Sequence, residues 1–249
     1  MPQFSDDLFL GAAQTYMGVN PNNPLGDPSP MDLGVGPVGR IYVWDSVPLA
    51  KAAANVAAAS AYTAGITLTA GTGVTSVVRA DGTTVLQLDV PRALAVTIGA
   101  GTITNRNVTI SGYDFYGQAM SEVIATGTTQ SVAVNGKKAF FQIVSATVSG
   151  AVGATISLGT TDILGSPVRV TNAGYIARAG WDNTLAADAG TFVAAVTTTA
   201  TTTTGDVRGT YVPSSACDGT KRLVMGLLLP ALAVGPNATR AGALGVTQA

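Results

Sequence analysis

The stretch from Thr84 to Leu158 decides the fold class. Its middle, Val108 to Ala125, reads V-T-I-S-G-Y-D-F-Y-G-Q-A-M-S-E-V-I-A. Val108, Ile110 and Gly112 alternate with Thr109, Ser111 and Tyr113, the period-two pattern of a half-buried strand. Phe115-Tyr116-Gly117-Gln118 supplies a four-residue loop in which Gly117 is free to take positive φ. Pairing Asp114 with Ala119 across that loop sets Ile110 opposite Val123 and Val108 opposite Ala125, with the apolar positions on one face. A hairpin of this kind needs further strands beside it, because two strands alone are marginal in water.

The rest of the chain supplies them. Ile41–Trp44, Ile66–Thr69, Val74–Val78, Thr84–Val90, Ala93–Ile98, Val132–Val134 and Ala139–Ser149 are β-branched runs punctuated by glycine. Thr155–Leu158, Pro167–Val170, Tyr175–Ala179, Gly205–Val212 and Arg222–Leu229 continue the series. Asp81-Gly82, Asn135-Gly136 and Asp218-Gly219 are turn dipeptides. On Ala139–Ser149, strict alternation puts Phe141 and Ile143 on one face and Phe140, Val144, Ala146 and Val148 on the other. Pro48–Ala61 reads either as one short helix or as an irregular connection, and the Thr-rich 197–204 either as a flexible tip or as an exposed strand. No βαβ unit is visible. These features predict an all-β chain, a β-sandwich of jelly-roll or Ig-like kind. It spans 41–249, as one domain or as two sub-modules, 65–160 and 161–249.

Residues 1–40 read differently. Pro21, Pro24, Pro28, Pro30 and Pro37 alternate with glycines, which forbids a helix and discourages a sheet interior. Yet Phe4, Leu8, Phe9, Leu10, Tyr16, Met17 and Met31 are too apolar for a solvated tail. The expectation is an extended N-terminal arm that orders by lying on a neighbouring subunit, with these seven residues as its contacts.

Composition narrows function. Only 11 % of the 249 residues are charged, against about 25 % in ordinary proteins, and the net charge is −1. With 13 basic residues scattered among 14 acidic ones, no basic stripe exists to neutralise phosphates, so no nucleic acid is expected as a partner. The most apolar run, Leu223–Gly235, is interrupted by Pro230 and is short of the ~20 residues a membrane span needs. The sequence holds no histidine, which removes Ser-His-Asp and Cys-His chemistry and the usual zinc donors. Cys217, the single cysteine, reads as a small buried hydrophobe. Glu122, the single glutamate, reads as a solvent-facing hairpin residue, with Arg92 or Lys137 as candidate partners. No catalytic residue, metal ligand or cofactor is expected, and the chain does not read as an enzyme. A sparsely charged surface suggests one covered by partners.

Three blocks carry a family resemblance: D-V-P-R (Asp89–Arg92), the hairpin Val108–Ala125 and G-K-K-A-F-F (Gly136–Phe141). The chain over roughly 55–160 resembles a module of tailed-phage virion proteins with the pattern D-x-P-R, T-V-x-G-x-D-x-Y-G, S-E, G-x-K-A-F-x-x-V-x-S-V. The resemblance implies a structural role in the particle, most simply a head cement or decoration protein. Such a protein binds the outer surface of the major capsid protein shell, commonly as a homotrimer, and is assembled in the host cytoplasm. Two other readings stay open: a tail or fibre component, and a carbohydrate-binding β-sandwich using Trp44 and Trp181-Asp182-Asn183.

Overall fold

In the computed structural model, residues 8–10, 39–196, 198 and 200–229 are described. Among them there is no α-helix, only strands and one 3-10 turn, Ala173–Tyr175. The chain is all-β, a β-sandwich built from antiparallel sheets.

One strand organises the larger sheet. β6 (Thr84–Ile98) is 15 residues long and runs through Pro91, where the sequence suggested two strands. Before the proline it pairs with β5 (Val74–Val78) and β10 (Phe140–Val148); after it, with β9 (Ala133–Asn135) and β11 (Ile156–Gly165). The ladder slips at this point, since Gln87 pairs with Gln142 but Arg92 with Phe140. Pro91 lies inside the slip, so its missing N–H costs no ladder bond. β6 therefore turns a corner and belongs to two layers, a recognised way for one strand to join packed sheets.

β7 (Asn107–Tyr113) and β8 (Ala119–Ala125) extend the first layer beyond β10, and the short β4 (Gly65–Ile66) also pairs with β10. β3 (Ala57–Ser60), β14 (Thr210–Val212) and β13 (Thr191–Val193) extend the second layer from β11. Both layers face one core that includes Leu94, Val96, Ile98, Ile110, Phe140, Ile143, Ile156 and Leu158. Each such side chain contributes about 1.5–3 kcal/mol by leaving water. A smaller sheet, in the order β1 (Leu8–Leu10), β2 (Gly39–Ser46), β15 (Leu223–Leu229) and β12 (Ile176–Trp181), closes a second core with Trp44, Leu164, Trp181, Tyr211, Leu223, Met225 and Leu227.

Several expectations need correction. The β7–β8 hairpin is one residue out of the expected register: Ile110 faces Glu122, Thr109 faces Val123 and Val108 faces Ile124. The loop takes five residues because Asp114 joins it. Its N–H donates to the Gln118 carbonyl at 3.0 Å, and its carboxylate accepts from the N–H groups of Tyr116 and Gln118. Gly117 takes φ 79° there. The slip places Glu122 on the buried face with Ile110, not in solvent. On β10 a bulge between Ile143 and Ser145 resets the alternation, so Phe140, Ile143, Ala146 and Val148 are all buried. Pro167–Val170 is not a strand, although Val168 and Val170 are buried. Pro48–Ala61 is irregular as far as Val56, one of its two readings, and then forms β3 at Ala57–Ser60, which neither reading held, while Ile66–Thr69 and Gly205–Val212 shrink to β4 and β14. Asn135-Gly136 makes no hairpin, because the Gly136 N–H continues the sheet by donating to the Leu94 carbonyl at 2.7 Å.

Candidate functional site

Four charged residues of the three motif blocks, Arg92, Asp114, Glu122 and Lys138, are buried, with Asp89 partly buried beside Arg92. In D-V-P-R, the Asp89 carboxylate accepts from the Leu49 N–H at 2.7 Å, and the Arg92 guanidinium donates twice to the Leu49 carbonyl at 3.1 Å. Asp89 and Arg92 join each other at 2.6 Å, with the Arg92 side chain 1 % exposed. The pair holds both backbone groups of one residue, as a neighbouring strand would, and so ties the irregular 47–56 segment to β6. The register slip around Pro91 accompanies the meeting of these two side chains, three residues apart, at the same residue, Leu49.

The hairpin block and G-K-K-A-F meet at a second cluster. Asp114, having ordered its own turn, forms a buried ion pair with Arg208 at 2.5 Å. The Arg208 guanidinium also lies 4.7 Å from the centre of the Tyr116 ring, whose hydroxyl donates to the Pro167 carbonyl at 2.8 Å. Glu122 accepts from the Lys137 and Lys138 N–H groups through its two oxygens. Asp206 accepts from the Ala139 N–H at 2.9 Å and the Arg208 N–H at 2.7 Å. Three successive N–H groups ahead of β10 are thus held by two carboxylates. Gly136 leaves room beside them, since a β-carbon there would stand 2.5 Å from the Glu122 carboxylate and force it to shift.

Burial pushes the Glu122 carboxyl up to about 7 against the two N–H donors and the Lys138 charge, while burial pushes the Lys138 ammonium down against Glu122 and Asp206. Of the partners the sequence offered for Glu122, Lys137 supplies its backbone N–H, and Arg92 is engaged at Leu49. Sequence reasoning missed Lys138, Asp206 and Arg208. Asp114 and Arg208 are 94 residues apart, a distance at which no spacing signal survives.

The outer surface offers less concentrated chemistry. A cleft of about 640 Å³ lies beside β9 and β11, lined by Lys51, Asn135, Thr160, Asp162 and Ser214. Lys51 and Asp162 pair there at 3.3 Å. Another hollow, of about 380 Å³, lies on the outer face of the small sheet over Gly180 and Gly226. Among the described residues, no group of three or more Cys, Asp or Glu is placed to hold a metal ion. None of their helices is long and apolar enough to cross a membrane. Trp44 and Trp181 are 8 % and 5 % exposed, so the ring faces that sugar stacking needs are packed into the second core. Cys217 is buried in the same core, and burial pushes its thiol up to about 12.

Of the expected contact residues, Leu8, Phe9 and Leu10 form β1, whose backbone pairs with Ile41, Arg40 and Gly39 of the same chain. Phe4, Tyr16, Met17 and Met31 lie outside the described residues. Within the Thr-rich stretch, Thr201–Thr204 form a turn closed by their own hydroxyls, the Thr201 N–H donating to Thr204 Oγ1 at 2.9 Å and the Thr204 hydroxyl to the Thr201 carbonyl at 3.0 Å. No family model, no curated protein and no solved structure matches the chain.

Proposed function

We propose that this chain is a bacteriophage head cement or decoration protein that binds the outer surface of the major capsid protein shell and stabilises it. One observation supports the reading beyond the resemblance: the charged residues of the resembling blocks are engaged in holding backbone and one another. Asp89, Arg92, Asp114, Glu122 and Lys138 hold segments together, and they leave no open pair of titratable groups to act on a substrate. A motif set that spends its chemistry on its own fold suits a structural module. The charge-poor composition suits a protein whose surface is covered in an assembly. Attachment would then draw on apolar area and backbone pairing summed over several copies, arranged as homotrimers in the manner the resemblance implies.

Co-sedimentation with undecorated shells tests the reading, using the full chain and a form lacking residues 1–40, at low and high ionic strength. Full-length protein should pellet with shells with little dependence on salt, because few charges are available for pairing. The shortened form should keep its β domain and bind more weakly. Full-length protein that never pellets with shells overturns the proposal, and co-purification with tails replaces it by the tail reading.

A further inference from the structure

The first layer has two edges, and they are finished differently. At one, the Val123 N–H of β8 points away from β7 and donates to the Thr202 carbonyl at 2.8 Å. The Lys137 ammonium reaches the Thr203 carbonyl at 3.4 Å, so the Thr-rich turn sits on this edge as a plug. At the other edge lies β5, V-T-S-V-V, with β6 as its strand partner. Along an antiparallel ladder, alternate residues aim both backbone groups at the same neighbour. The Arg79 N–H donates to the Thr83 carbonyl at 2.9 Å, continuing the β5–β6 register. By that alternation Thr75 and Val77 face β6, while Ser76 and Val78 turn their N–H and C=O groups outward. Among the described residues, none covers them.

Native sheets blunt such edges with charge, proline, bulges or a covering segment. β5 has no charge, no proline and an unbroken register, and Val78 is 66 % exposed. Its sequence is also close to self-complementary. About a two-fold axis at Ser76, Val74 meets Val78 of the other copy and Thr75 meets Val77. We propose that the free edge of β5 pairs antiparallel with β5 of a second copy, centred on Ser76. The two Ser76 residues exchange a pair of backbone bonds, and each Val78 N–H reaches the Val74 carbonyl across the axis. The Val74 N–H is already held by the Gly71 carbonyl at 3.0 Å and is not needed. Antiparallel pairing keeps the two faces in step, so exposed Val78 gains an apolar neighbour. Arg79 arrives opposite Gly73, with no like charge to oppose it.

A contact limited to one short edge buries less than the ~1,200 Å² of a specific stable interface, so free chains pair weakly and copies held on a common scaffold pair well. The inference does not depend on what that scaffold is. On a shell, such a two-fold contact would join copies from different three-fold clusters.

Sedimentation equilibrium of the full chain across a concentration series tests the pairing. The parent should show a doubling step. Ser76→Lys, which sets two ammonium groups at the axis, should weaken that step at least about tenfold while leaving the thermal melt unchanged. In a double variant, Thr75→Cys with Val77→Cys, oxidation should give a reducible dimer, because these residues become directly opposed with β-carbons about 4.5–5.5 Å apart. Thr109→Cys with Ser111→Cys on β7 should not. A parent with no doubling step, a doubling step indifferent to Ser76→Lys, or equal cross-linking of both cysteine pairs overturns the proposal.

Discussion

The two cores are built by different means. The first, around Ile110, Phe140 and Leu158, is enclosed by long strands whose apolar residues recur at strand period, and neighbouring strands supply most of its backbone bonds. The second, around Trp181, Tyr211 and Leu223, has long strands on one side only. On the other, β13 and β14 are three residues each, and side chains hold the connections. Asp188 shows how: it accepts from the Tyr211 hydroxyl, the Ser214 hydroxyl and N–H, and the Gly190 N–H. Asp114–Arg208 and Asp206–Ala139 then join the second region to the first. Where the sequence does not offer long alternating strands, charged groups take over the ladder's work, with Asp114, Asp206 and Arg208 buried and Asp188 partly exposed.

Breaking this joint should cost as much as a large cavity in either core. Asp114→Ala and Arg208→Ala should each lose about 3–5 kcal/mol in denaturant unfolding, since each leaves a buried charge without its partner. The double variant should lose much less than the sum of the two, because the pair acts as one unit. Additive losses would separate the regions. Leu158→Ala and Leu223→Ala, one in each core, should each cost about 2–5 kcal/mol through the cavity left behind. Both should shift one common transition when followed by different probes. A transition that splits only for Leu223→Ala would make the second core an independent unit.

Glu122 sharpens the contrast through pH. Its carboxyl in the folded protein is raised above the unfolded value, so its stabilising contribution is complete below about pH 4.5 and is lost as pH rises through about 7. The parent should therefore lose on the order of 1–3 kcal/mol over that interval from this group, and Glu122→Gln should flatten the slope. An unchanged slope in the variant would move the titration elsewhere. The smallest effect is expected outside both cores: Lys51→Ala removes the exposed partner of the largely buried Asp162 and should change stability by about 1 kcal/mol.

What the sequence disclosed follows the same division. β5 falls on the residues the pattern marked, Val74–Val78, and Asp81-Gly82 turns as expected, with Gly82 at φ 83° and Asp81 accepting from the Thr83 N–H. The closing strand was legible because Leu223, Met225 and Leu227 recur at strand period. The hairpin was legible, but its register was not. Val123 and Ile124 are both apolar, so hydrophobicity alone cannot choose between them, and the choice was made by the Asp114 side chain lengthening the loop. Glu122 was misplaced for the same reason, since its burial depends on carboxylate contacts with residues 15 and 16 positions away. Pro91 looked like a strand end because its neighbours change there, and only the paired layers reveal one continuous strand. The second region's loops, fixed by charges far apart in sequence, gave no periodic signal at all.

The charged motif residues Arg92, Asp114, Glu122 and Lys138 lie inside a protein proposed to decorate a capsid. The measurement that bears on this most directly is an electron cryo-microscopy reconstruction of the particle carrying this chain. The account predicts density for the β-sandwich on the outer face of the shell, contacting the major capsid protein, with the Asp89–Arg92 and Asp114–Arg208 pairs inside the fold and away from that contact. Density for the chain in the tail, or a particle head without it, would contradict the account.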